Sequence, residues 1–239
     1  MELIVCKDYR ELSRRAADII IAQVTAKPDC VLGLATGSTP IGTYDLLCDA
    51  HKAGLDLSSV TTFNLDEYYP MQASDPQSYH YFMQEHLFSH VNISPSRIHI
   101  PDGETTHPES LGDAYDRAIE EAGGIDLQLL GIGRNGHIGF NEPGDTLVAG
   151  THLTPLTEDT VNANARFFAS ISEVPTQAIS MGMASIMGAR HILLLISGKD
   201  KQEALAQLRS DSITTQCPAT LLKLHPHVTI ICDEAAYGK

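Results

Sequence analysis

Tryptophan is missing from this sequence, and aromatic residues make up only 6% of it. Its core must therefore be filled by aliphatic side chains. Basic residues are scarce too: 16 Lys and Arg face 30 Asp and Glu, for a formal charge of −14. A phosphate backbone is held by clustered cations, so a nucleic-acid partner is excluded, and an anionic membrane surface with it. Long apolar runs are lacking. Stretches such as Ile192 to Ile196 are far short of the roughly 20 residues that cross a bilayer. The N terminus carries an acid at Glu2 and no apolar signal-peptide core. Cys6, Cys30, Cys48, Cys217 and Cys232 are odd in number and form no C-x-x-C pair. That spacing excludes a zinc ribbon and fits a reducing compartment better than a disulfide framework. A soluble, cytoplasmic protein is the expectation.

What the sequence does have is alternation. Short apolar runs (Leu3 to Cys6, Cys30 to Ala35, Val60 to Leu65, Arg97 to Ile100, Asp126 to Ile132, His191 to Ser197, Val228 to Cys232) read as strands. Between them lie helical patterns. Tyr9, Leu12, Ala16, Ile19, Ile20 and Val24 share one face behind a cap at Asp8, and further helices are expected near 41–52, 79–90, 111–119, 201–208 and 219–224. Residues 151–169 read as a polar loop with a weak helix. Strands apolar throughout and alternating with helices imply an α/β fold, a mostly parallel, Rossmann-like sheet covered by helices on both faces. Ligands bind such sheets beyond the carboxyl ends of the strands, so the polar residues that follow strands are the candidates.

Three such loops stand out. Thr36-Gly37-Ser38-Thr39-Pro40 offers backbone N–H groups and hydroxyls at a helix start, where an anion can sit, although a capped turn has the same composition. It lacks the lysine of a P-loop. Asp66-Glu67-Tyr68 puts a carboxylate at a strand end, where it can move protons or merely start a turn. The third, Gly131 to Gly144, opens as G-x-G-x-x-G, but Gly139, Pro143 and Gly144 leave no room for the helix a dinucleotide site requires. What remains is His137 among four glycines, with Asn135 two residues before it and Glu142 five after. A histidine oriented by an amide and a carboxylate transfers protons near neutral pH. Arg166 and Lys201 are cations suited to clamping a phosphate, or simply solvated. His225-Pro-His227 has no visible third ligand, so no metal is expected.

The strings VLGLATGSTP, VTTFNLDEYY, GIGRNGHIGFNEPG, TVNANARFF, SGKDK and VTIICDEAA, in this order over nearly the whole chain, resemble the glucosamine-6-phosphate deaminase family. GHIGFNEP is the specific part. The resemblance implies conversion of glucosamine 6-phosphate and water to fructose 6-phosphate and ammonium, with neither redox nor metal cofactor. It implies Asp66 as the base moving a proton between C2 and C1, His137 with Glu142 as the ring-opening pair, and Thr36, Gly37, Ser38, Thr39, Arg166 and Lys201 as phosphate ligands. It also implies one α/β domain over 1–239 with a helical lid at about 151–182. Two departures are visible. Asn135 stands where the best-known hexameric members have an aspartate, which leaves Glu142 as the acid of the trio while Asn135 orients the ring. The chain also stops at Lys239, so a monomer or small homo-oligomer is expected rather than a hexamer regulated by N-acetylglucosamine 6-phosphate. Two alternatives share parts of this pattern: a 6-phosphogluconolactonase, which the Phe140-Asn141-Glu142-Pro143 continuation and Asp66-Glu67-Tyr68 disfavour, and a sugar-phosphate-sensing regulatory domain, which would need a basic DNA-binding segment.

Overall fold

Capping side chains start the helices where the sequence places them. Asp8 accepts the Glu11 N–H at 2.9 Å and opens α1 (Tyr9–Ala26), and Ser78 does the same through Tyr81 for α3 (Tyr79–His86). The computed structural model describes residues 1–165, 168 and 170–239. Its remaining elements are β1 (Glu2–Cys6), β2 (Val31–Leu34), α2 (Ile41–Lys52), β3 (Thr61–Asn64), β4 (Asp66–Tyr69), β5 (Ile98–His99), α4 (Pro108–Glu121), β6 (Leu127–Leu130), β7 (His152–Pro155), α5 (Glu158–Asn164), β8 (Gln177–Ser180), α6 (Met183–Met187), β9 (His191–Ile196), α7 (Gln202–Arg209), β10 (Val228–Asp233) and α8 (Glu234–Tyr237).

Seven strands pair in parallel in the order β1-β10-β9-β6-β2-β3-β5. The chain moves outward from β2 through β3 to β5, then returns to the other side of β2 to lay down β6, β9 and β10. The winding therefore reverses between β2 and β6, and the loops leaving these two strands open at the reversal. That is where an open α/β sheet offers a crevice.

Period-two alternation divides even the all-apolar strands between two cores. In β9, Leu193 and Leu195 face α1, α2 and α3, whereas Ile192, Leu194 and Ile196 face α4, α6, α7 and α8. Each such side chain contributes about 1.5–3 kcal/mol through burial. The expected mostly parallel sheet with helices on both faces is what the chain forms.

Details differ from the sequence reading in three places. Asp66-Glu67-Tyr68, expected as a loop, is a strand: after Leu65 alone the chain enters a second, antiparallel sheet in the order β4-β8-β7, with Asp66 opposite Ser180. Residues 151–182 accordingly carry β7 and β8 besides α5, and Ala178, Ile179 and Ser180 are buried. Residues 218–224 form a 3₁₀ rather than an α-helix, opened by Pro218.

Candidate active site

The loops leaving β2, β3, β6 and β9 converge on one cleft of about 920 Å³ at the carboxyl edge of the large sheet. Thr36, Gly37, Ser38, Thr39, Asp66, Asn135, His137 and Lys201 all line it. Glu142 stands just behind His137. Arg166 lies outside the described residues. Three aromatic rings, Tyr68, Tyr79 and Phe140, form one wall, and Phe168 packs edge-on against Tyr68 at 5.9 Å.

Gly37, at φ +96°, turns the first loop into α2. Among the described residues, no group accepts from the backbone N–H of Gly37, Ser38 or Thr39. An external brace holds this loop: the Tyr9 hydroxyl, from the first turn of α1, donates to the Ser38 carbonyl at 3.1 Å and accepts the Gly42 N–H at 2.8 Å. The outcome is a cradle of N–H groups and hydroxyls suited to an anion. Across the cleft, Lys201 follows a loop pinned by Asp233. That buried carboxylate accepts the Ser197 hydroxyl at 2.5 Å, the Gly198 N–H at 3.2 Å and the Ala236 N–H at 2.7 Å.

Two carboxylates in this region are treated in opposite ways. Asp66 is only 6% exposed, and among the described residues no group donates to its carboxylate. Burial, and after it the charge of Glu67, push its carboxyl up to about 8. Glu67 itself is turned away into the N terminus of α3, where it accepts the N–H groups of Tyr68, Tyr79 and His80 at 2.8–2.9 Å. Burial raises Glu67 to about 7 against the pull of those donors. Glu142, by contrast, collects three side-chain donors. Asn135 Nδ2 reaches its Oε2 at 2.8 Å, His137 Nδ1 reaches the same oxygen at 3.2 Å, and the Thr160 hydroxyl donates to Oε1. Burial would raise Glu142, but the hydrogen bond and charge of His137, with Thr160 and Asn135, outweigh it and hold the carboxyl at about 2.

Asn135 does not touch the imidazole. Its Oδ1 accepts the His137 backbone N–H at 3.2 Å and its Nδ2 binds Glu142, so it orients the ring through the carboxylate. The ring lies flat over Gly133, where any Cβ would collide with its Nδ1, Cε1 and Nε2. With Nδ1–H given to Glu142, Nε2 is the nitrogen left to exchange protons. The loop carrying them is tied down by Asn141, which donates to Ile138 O and Met181 O, and by Ser180, whose hydroxyl accepts the Phe140 N–H at 3.0 Å. His225, set apart from the cleft, bonds the carbonyls of Ala189 and His227. Among the described residues no group of three or more His, Cys, Asp or Glu side chains converges to hold a metal ion, and no helix is long and apolar enough to cross a membrane.

An anion cradle thus faces one raised carboxyl and one histidine–carboxylate pair, an arrangement suited to moving protons on a small anionic molecule. Residues 7–231 match the model of the glucosamine-6-phosphate isomerases/6-phosphogluconolactonase family, and the chain belongs to that family. It is 54% identical over 237 residues to a glucosamine-6-phosphate deaminase of Halothermothrix orenii, covering 99% of this chain and 98% of that one. A deaminase of Thermoanaerobacter pseudethanolicus is 52% identical, covering 99% and 94%. The solved structure of a monomeric glucosamine-6-phosphate deaminase superposes with a TM-score of 0.98 at 46% identity, covering 100% of this chain and 99% of the other. A 6-phosphogluconolactonase from Trypanosoma cruzi shares the fold, with a TM-score of 0.79 at 21% identity.

Tyr9, Thr160, Ser180 and Asp233 were not singled out from the sequence. Each acts through a contact to a residue distant in the chain, and no local spacing signals such a contact.

Proposed function

We propose that this protein is a glucosamine-6-phosphate deaminase, converting glucosamine 6-phosphate and water to fructose 6-phosphate and ammonium. The observation that carries the reading is the pair of carboxylates driven apart, one near 8 and without donors, the other near 2 with three. Such separation is how a site divides base work from charge stabilisation.

The substrate phosphate sits on the N–H groups of Gly37, Ser38 and Thr39 with the hydroxyls of Thr36, Ser38 and Thr39, and Lys201 supplies a cation to it, a role that the family resemblance gives to Arg166 as well. His137 Nε2 takes the proton of the C1 hydroxyl and returns it to the ring oxygen, and Glu142 balances the imidazolium that forms in between. Asn135 serves by holding Glu142. In the open aldose, Asp66 removes the C2 proton, and an enolamine forms as the substrate's ammonium group gives up a proton and the C1 oxygen gains one. Asp66 then returns its proton to C1, which leaves an iminium at C2. Water adds there and ammonium departs. These steps are proton transfers and one hydration, balanced by water alone. The dry aromatic wall keeps Asp66 strongly basic, and the segment around α5, read as the lid, excludes bulk water.

A coupled assay should detect ammonium release from glucosamine 6-phosphate and no hydrolysis of 6-phosphogluconolactone. The reverse pattern would overturn the reading. Because Asp66 must be ionised to take the C2 proton, kcat/KM should fall about tenfold per pH unit below its raised value of about 8. Glu67→Gln removes the charge that helps raise Asp66, so the limb should move to lower pH. A wild-type limb in the ordinary carboxylate range near 4 would refute this use of Asp66. Gly133→Ala pushes the His137 ring off its seat, and a misplacement of this kind should lower kcat/KM by about 10²-fold in the same assay, with the melting temperature little changed.

The likeness to a monomeric deaminase supports a monomer or small homo-oligomer. Five buried, unpaired cysteines support a reducing, cytoplasmic setting.

A further inference from the structure

We propose that Thr160 is a positioning residue for the ring-opening pair, completing the orientation of Glu142 from outside the loop that carries it. The inference rests on the reading of His137 and Glu142 given above. Thr160 lies on α5 and is 6% exposed. Its hydroxyl stands between two oxygens: Glu142 Oε1 and Thr157 Oγ1, the latter at 3.1 Å. An ionised carboxylate only accepts, so Thr160 donates to Glu142. Its single proton is thereby spent, and Thr157 must donate to it. Thr157 is also the N-cap of α5 and accepts the Thr160 N–H at 3.3 Å. The result is a one-way chain from the helix cap through Thr160 to the carboxylate, each bond polarising the next.

The other donors to Glu142, Asn135 and His137, belong to the 131–144 loop and share Oε2. Two donors on one oxygen leave the carboxylate free to swing about that contact. Thr160 takes the second oxygen and fixes the plane, which keeps Oε2 on His137 Nδ1. The segment that carries Thr160 also delivers Phe168 onto Tyr68.

Thr160→Val keeps the shape and deletes the donor, Thr160→Ser keeps the donor, and Thr160→Ala is a second deletion should the valine variant not fold. A hydrogen bond to a charged group of this kind is worth ~10- to 100-fold. Loss of that size in kcat/KM is expected for the valine and alanine variants, with the serine variant within a few-fold of wild type. The second readout needs no turnover: the Nδ1–H resonance of His137 in ¹⁵N-histidine-labelled resting protein, followed by NMR. If Thr160 positions Glu142, that proton shifts upfield and exchanges faster with solvent in Thr160→Val because its bond to Oε2 loosens. An unchanged or downfield-shifted resonance overturns the proposal, as does a serine variant no better than valine. Wild-type protein that releases no ammonium would sink the deaminase reading and leave the NMR result to decide the role of Thr160.

Discussion

Asp66→Asn is expected to reduce kcat by about 10³-fold or more while glucosamine 6-phosphate still binds. The amide keeps the shape of the side chain but cannot take a proton from C2, whereas the proposed phosphate ligands lie on other loops. Steady-state assays paired with calorimetric titration of the substrate separate the two effects; equal losses in turnover and affinity would assign Asp66 to binding instead. The same variant should be the more stable protein, and the sign follows from linkage. The folded-state value of Asp66 is raised to about 8 from an unfolded value near 4. Between those values the folded protein holds a proton that the unfolded chain has released, so stability falls as pH rises through that window. Asn never ionises. Its melting temperature should exceed that of wild type by several degrees at pH 8–9, and the gap should close toward pH 4. A variant less stable than wild type at pH 9 would contradict the burial argument.

Glu142→Gln is the second large effect, expected at about 10²- to 10⁴-fold in kcat/KM. A glutamine offers one acceptor oxygen to three donors and no charge to an imidazolium. Asn135 and His137 can keep that oxygen while the Thr160 hydroxyl must turn to accept from the new Nε2–H, and His137 loses its counter-charge. The shape of the pH profile identifies the cause. Glu142 is held at about 2, far below the limb assigned to Asp66, so its removal should lower the rate at every pH and leave that limb where it was. A limb that moves with Glu142→Gln would mean that the two carboxylates titrate together.

Much of this was legible in the order of the residues. Apolar runs such as His191 to Ile196 announced the parallel sheet, because a strand buried on both faces needs apolar side chains at every position. The loops after β2 and β6 were found because glycine and hydroxyl residues accumulate where a backbone must turn and still offer donors. The small sheet was hidden. β8 is four residues of mixed character, and Ser180 meets Asp66 across more than a hundred residues. Nor does any periodicity predict that the Thr160 hydroxyl will find a carboxylate 18 residues away. Asn135 shows the same limit: its proximity to His137 was readable, but not that its amide would reach the ring only by way of Glu142.

Ser180 gives that hidden sheet its importance. Asp66 and His137 issue from β3 and β6, two strands kept apart by β2. The nearer tie between them runs through β8. The backbone of Ser180 pairs with Asp66, and its hydroxyl receives the N–H of Phe140, three residues beyond His137. The separation between the proposed base and the proposed acid is thus surveyed from a third point rather than measured along the main sheet. The interval between the two proton carriers is gauged by Ser180 together with Met181, whose carbonyl holds Asn141 and whose N–H holds Leu65.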